Sequence, residues 1–169
     1  MIEVSVQSLA FDRTSNTPVV ILREDGTDRI LPIWIGPGEA SAIAMHLGGV
    51  SFQRPLTHDL IVSVLGGLGG SLRRVLITRV ENSTYFAEMI IDRAGELISV
   101  DARPSDSIAI ALRMEARIFA DDSLLESAGR VVEVAEDGES GGDENPMSGE
   151  TLEKHLRKLG PEDLGRFHG

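Results

Sequence analysis

Leu31-Pro32-Ile33-Trp34-Ile35-Gly36-Pro37-Gly38-Glu39-Ala40 decides the fold, because the chain changes its conformational grammar within these ten residues. The first half is apolar and β-prone, with Pro32 marking an edge position or a bulge in a strand. The second half is helix-start chemistry: Gly36 suits an N-cap, Pro37 the first helical position and Glu39 the third, beside the positive end of the helix dipole. Upstream, Ile2, Val4 and Val6 alternate with polar residues, and Val19-Val20-Ile21-Leu22 forms a β-branched run. Asp25-Gly26 supplies turn chemistry between that run and Ile30–Ile35. The first third is therefore a set of strands with a hairpin leading into a helix, which stops near Leu47 at Gly48-Gly49.

Downstream, Arg54-Pro55-Leu56-Thr57 opens a second helix, with Thr57 as expected N-cap and Asp59 in the first turn, ending in the Gly66–Gly70 cluster. Strands are expected at Val75–Val80, Tyr85–Ile91 and Leu97–Val100. Arg103-Pro104-Ser105-Asp106 opens a third helix, with Ser105 as N-cap and Ile108, Ala111 and Leu112 on one face. Ile118-Phe119-Ala120 is a last short strand, followed by a helical turn around Leu124-Leu125. Helices and strands do not alternate strictly. The expected class is α+β: a mixed, largely antiparallel sheet packed with three main helices.

Residues 1–132 form the expected domain. Residues 133–149 are acidic and glycine-rich, the composition of a flexible linker. Residues 150–169 form a C-terminal tail in which Leu152, Leu156 and Leu159 recur at helical spacing; so short a helix must dock to persist.

The 169 residues have a net charge of −11 and no cysteine. Disulfides, thiolate metal sites and cysteine nucleophiles are excluded together. No signal peptide is read at Met1–Val6, and apolar runs such as Ile108–Leu112 fall far short of the roughly 18–20 residues of a membrane span. A cytoplasmic location without membrane association is expected. Residues 1–132 hold 17 carboxylates and 12 basic side chains, and residues 133–169 hold 10 and 4, so over half the excess lies in the last 37 residues. Every basic residue of the first 132 is arginine, the side chain that grips phosphate bidentately, although coding bias gives the same count.

The chemistry-bearing feature is an echo. Arg54-Pro55 precedes a helix bearing His58-Asp59, and Arg103-Pro104 precedes one bearing Ser105-Asp106. Each proline holds its arginine extended beside a helix N-terminus, where free N–H groups and the dipole favour an anion. The same words are also plain helix-start grammar. His58, expected exposed at the first helical position, suits general acid or base chemistry, or is a polar first-turn residue. Glu39, Asp59 and Asp106 could hold a divalent cation, Mg or Mn, through oxygen ligands, though no tight carboxylate motif is present. His46 is assigned no role. The Gly66–Gly70 cluster lacks the Lys-Ser/Thr of a phosphate loop and reads as a helix ending.

These segments, Leu31–Gly36, Glu39-Ala40, Arg54–Leu60 and Asp101–Ala109, closely resemble the bifunctional nuclease domain, in order and with that family's spacing, over roughly residues 1–132. The resemblance implies hydrolysis of DNA and RNA, a nucleic-acid partner, and a site drawn from Glu39, His58, Asp59 and Asp106 as catalytic groups with Arg54, Arg103 and Ser105 on phosphate. Edge-prone strands point to a homo-oligomer, with a dimer the expected form. The alternative is a non-enzymatic oligomeric module that uses the same arginines to bind an anionic ligand or a protein partner. Convergence of His58 and the carboxylates in one place separates the two.

Overall fold

A computed structural model describes residues 1–127; the expected linker and tail, with Leu152, Leu156 and Leu159, lie outside them. The elements are β1 (Ile2–Asp12), β2 (Thr17–Glu24), β3 (Ile30–Trp34), α1 (Pro37–Leu47), α2 (Thr57–Gly67), β4 (Gly70–Glu81), β5 (Thr84–Arg93), β6 (Glu96–Ala102), α3 (Pro104–Met114) and β7 (Arg117–Ala120). Residues 122–127 are helical. The class is α+β, as the sequence implies.

One seven-stranded sheet runs in the order β3-β2-β1-β7-β4-β5-β6. Every neighbouring pair is antiparallel except β4 and β7. The sheet has two wings of antiparallel strands, and β7 joins them. Its Ile118 sits opposite Val4 of β1 on one side and Val75 of β4 on the other. Pro32 lies in β3, an edge strand, where a missing N–H costs no ladder bond. β4 and β5 extend beyond the expected strands and meet in a two-residue turn, Asn82-Ser83. Both turn residues have left-handed backbone, with φ of 49° and 61°, which suits the twist of a tight hairpin.

A single core fills the space between sheet and helices. Leu22, Leu31 and Ile33 meet Val75 and Ile77 there, with Ile43 of α1 and Ile108 of α3, all buried. α3 is more deeply set than a one-faced amphipathic pattern implies: Ile108, Ala109, Ile110 and Ala111 are all buried. It packs against α1, α2, β4, β5 and β7, and its alanines permit close approach. α2 is the opposite case. His58 is its only buried residue, while Leu60, Ile61, Val64 and the following Leu68 are exposed.

Two helix starts differ from expectation by a residue or two. The N-caps are Leu56 and Arg103, so Thr57 is the first residue of α2 and Ser105 the second of α3. Neither hydroxyl caps its helix. In α2, Asp59 takes over: its Oδ2 accepts the Leu56 N–H at 2.9 Å, the return half of a capping box. In α3, Pro104 takes the first helical position, where its lack of an N–H is harmless.

Because α3 lies at the junction of all layers, Ile108→Ala should leave an uncollapsed cavity. Urea unfolding should show a loss of about 2–5 kcal/mol; a loss below ~1 kcal/mol would mean that α3 is not central to the core.

Candidate functional site

The site begins where β3 becomes α1. Gly36 is extended, Pro37 starts the helix, and the Glu39 side chain folds back over the cap. A Cβ on Gly36 would collide with Glu39 Oε2, so glycine there leaves room for the carboxylate. Glu39 Oε1 accepts from Arg103 Nη1 at 2.7 Å.

Arg103 joins β6 to α3. Pro104 keeps it extended, at φ −68° and ψ 144°, and its guanidinium turns back onto the first turn of its own helix. Its Nε donates to Asp106 Oδ2 at 2.7 Å and its Nη2 to Oδ1 at 3.3 Å. The Arg103 side chain is nonetheless 66% exposed. Asp106 Oδ1 also faces His58 Nε2 at 3.2 Å, and the His58 side chain is only 11% exposed. Burial pushes the Asp106 carboxyl up, but hydrogen bonds from Arg103 and His58, with their charges, outweigh it and hold the group below its ordinary value. An unbroken chain Glu39–Arg103–Asp106–His58 thus ties together the first turns of α1, α3 and α2.

A second knot lies beside it. Arg113, in the last turn of α3, has a side chain only 8% exposed. Its Nε donates to Asp59 Oδ1 at 2.6 Å, its Nη1 to the Ala109 carbonyl at 2.9 Å and its Nη2 to the Ala42 carbonyl at 3.2 Å. The Arg113 hydrogen bond and then the Leu56 N–H hold the Asp59 carboxyl below its ordinary value. Sequence reading passed over Arg113. A charged residue in so apolar a helix as Ile108–Met114 must be paired, and that was the available clue.

Glu39, His58, Arg103 and Asp106 therefore converge, from positions 39 to 106. Asp59 is adjacent in sequence to His58 but faces Arg113, so it does not join the chain directly. His58 is the second residue of α2 and buried, against the expected first position and exposure. Ser105 is buried, leaving its backbone N–H in the first turn of α3 as the group that could meet an anion. Arg54 is exposed on the approach to α2, and among the described residues it makes no ion pair. Among the described residues, no three His, Asp or Glu side chains are grouped to hold a metal ion. Glu39, Asp59 and Asp106 each face an arginine instead, so as arranged they do not fit a resident cation.

Comparison with known proteins adds three findings. Residues 20–133 match the model of the bifunctional nuclease domain. An uncharacterized protein of Mycobacterium tuberculosis is 41% identical over 162 residues, covering 96% of this chain and 97% of that one. Bifunctional nuclease 1 of Arabidopsis thaliana is 30% identical over 126 residues, 72% of this chain but 39% of the plant protein; bifunctional nuclease 2 of Oryza sativa subsp. japonica is 32% identical over 123 residues, 70% and 38% respectively.

Acid titration tests the charged chain. Asp59 and Asp106 have folded-state values below the ordinary carboxylate value. Their stabilisation is fully present above about pH 5 and is lost as pH falls through the lowered folded values. Asp106→Asn should therefore flatten the fall in urea-unfolding stability between about pH 5 and pH 3. An unchanged slope would mean that Asp106 is not held in the charged form by its neighbours.

Proposed function

Since this chain belongs to the bifunctional nuclease domain family, we propose that it hydrolyses phosphodiester bonds in DNA, RNA or both at the Glu39–Arg103–Asp106–His58 chain. The observation that carries the reading is this convergence: from the starts of three helices, Glu39 and Asp106 meet the exposed Arg103 guanidinium, and His58 joins through Asp106. Arginine has five N–H donors, and Arg103 directs three of them at Glu39 and Asp106. The two that remain are free for a phosphate oxygen and would stabilise the charge that develops on it. Arg54 supplies the second guanidinium, and the first turn of α3 supplies the Ser105 N–H.

His58 is the general acid or base. A neutral imidazole facing Asp106 through Nε2 carries its proton there and leaves Nδ1 as the acceptor. Asp106 fixes the ring's orientation and tautomer through Nε2. Asp59 holds the start of α2 through Leu56 and Arg113, and so fixes the backbone that carries His58. Glu39 keeps Arg103 oriented in the absence of substrate.

The test is cleavage of single-stranded and duplex DNA and RNA by rigorously purified protein, with and without EDTA. Arg103→Ala should weaken oligonucleotide binding about ten- to hundredfold, the equivalent of ~1.5–3 kcal/mol. His58→Ala should slow cleavage about 10²–10⁴-fold while changing binding little. Folded variants that cleave like the parent would sink the assignment at this site and favour the binding module.

The proposed homo-oligomer, a dimer in its simplest form, uses α2. Leu60, Ile61, Val64 and Leu68 are 39–63% exposed, with Leu47, Val50 and Phe52 exposed on the segment before that helix. An apolar face of this kind is self-complementary about a two-fold axis, which makes a second copy its natural cover. Leu60→Asp with Val64→Asp should yield a folded monomer by sedimentation, whereas a monomeric parent would refute the dimer.

A further inference from the structure

Aromatic residues are scarce in this chain, which has one tryptophan and one tyrosine. Both line the same open concavity, about 580 Å³ in volume, together with Val80, Asn82 and Ser83. An isolated tryptophan in a small protein is normally core material; Trp34 is 46% exposed instead. Its ring is not free to wander, because the indole Nε1–H donates to Asp12 Oδ2 at 3.0 Å. That carboxylate is itself held by the Ser15 hydroxyl and by the backbone N–H groups of Ser15 and Thr14. Opposite stands the β4–β5 hairpin, where Val80 and Tyr85 form a cross-strand pair and Ser83 keeps left-handed backbone without being glycine or asparagine.

The position of the concavity carries the argument further. Trp34 ends β3, just before Gly36 and Glu39. Tyr85 is two residues from Ala87, which pairs with Ala102, the residue preceding Arg103. The Glu39–Arg103 ion pair and the Trp34–Tyr85 concavity thus bridge the same two parts of the molecule, the β3–α1 turn and the β5–β6–α3 corner. They are two rungs of one seam.

We infer that the Trp34–Tyr85 concavity is a nucleobase subsite, which takes one unpaired base of a single strand whose phosphate lies on Arg103. The inference rests on the phosphodiester reading above and names its substrate class. A base offers a flat π-face to aromatic side chains only when it is unpaired and unstacked, so a single strand fits and an intact duplex does not. The carboxamide of Asn82 and the hydroxyl of Ser83 supply donors and acceptors for base edges. Both aromatic rings stack without regard to base identity, so the subsite predicts strand-state selectivity with little sequence preference.

Trp34 is its own reporter, because no other tryptophan contributes emission. The full-length protein is titrated with a fluorophore-labelled, cleavage-resistant phosphorothioate single strand. Binding is read by anisotropy and occupancy of the concavity by Trp34 emission. Expected are saturable quenching by the single strand, none by the matching duplex, and about a five- to hundredfold loss of affinity in Tyr85→Leu and in Trp34→Leu. A rise in anisotropy with unmoved Trp34 emission would overturn the subsite and leave the nuclease reading intact. Equal quenching by duplex would overturn the choice of an unpaired base. Trp34 emission that changes on protein dilution and not with nucleic acid would give the concavity to a second copy. If neither readout responds, the subsite fails, and the cleavage assay judges the nuclease reading independently.

Discussion

One guanidinium, that of Arg113, holds the three helices in the arrangement on which everything else depends. It leaves α3 near its C-terminal end, reaches Asp59 on α2 and a main-chain carbonyl on α1, and closes on a carbonyl of its own helix. An arginine buried this far is tolerable only with its donors matched, since an unmatched buried charge costs several kcal/mol. The geometry is correspondingly strict, because lysine cannot reach three acceptors in one plane. Fixing α2 against α3 in this way sets His58 opposite Asp106, and fixing α1 sets Glu39 opposite Arg103. The polar cluster at the helix starts is therefore assembled from behind.

The cluster also sets the terms on which an acidic protein would hold the proposed phosphate. Two carboxylates, Glu39 and Asp106, surround one guanidinium, so these three groups are together net negative before any ligand arrives. A phosphate bound there would bring in further positive charge or displace a carboxylate, and Arg54 is the proposed source of that charge. At a site of that charge long-range attraction would do little, and contact geometry would decide. Such a site favours ligands that also bind elsewhere, which is where an aromatic subsite would matter.

Much of this architecture was legible in the sequence, and the losses have identifiable causes. Residues 31–40 announced the strand-to-helix change because proline and glycine act locally, and Pro32 announced its edge position for the same reason. The helix starts slipped at Thr57 and Ser105 because side-chain capping competes with two other solutions: the back-reaching carboxylate of Asp59, and Pro104 in the first turn. His58 was expected exposed because an N-terminal turn usually is; its burial comes from contact with α3, which no local pattern encodes. Glu39, Arg103, Asp106 and His58 could be nominated one by one from their motifs. Their convergence is a property of how α1 and α2 pack against α3. The apolar setting of Arg113 signalled that it must be paired, but not with what, and the shared concavity of Trp34 and Tyr85 left no local sign, since each depends on partners more than 50 residues away.

The place of β7 has a consequence for how the chain comes to be folded. Residues 118–120 fill the gap between β1, which begins at Ile2, and β4, so the first strand made waits for the last one described. At the usual pace of synthesis about 115 residues take on the order of ten seconds. During that time β1 and β4 each carry an unpaired edge able to recruit another chain. The helices alone cannot shorten the wait, because a pairing this distant in sequence bears the full entropy of loop closure before any bond rewards it. Nascent chains that meet at high local density during this interval are exposed to strand exchange, and the late arrival of β7 governs whether each closes on itself.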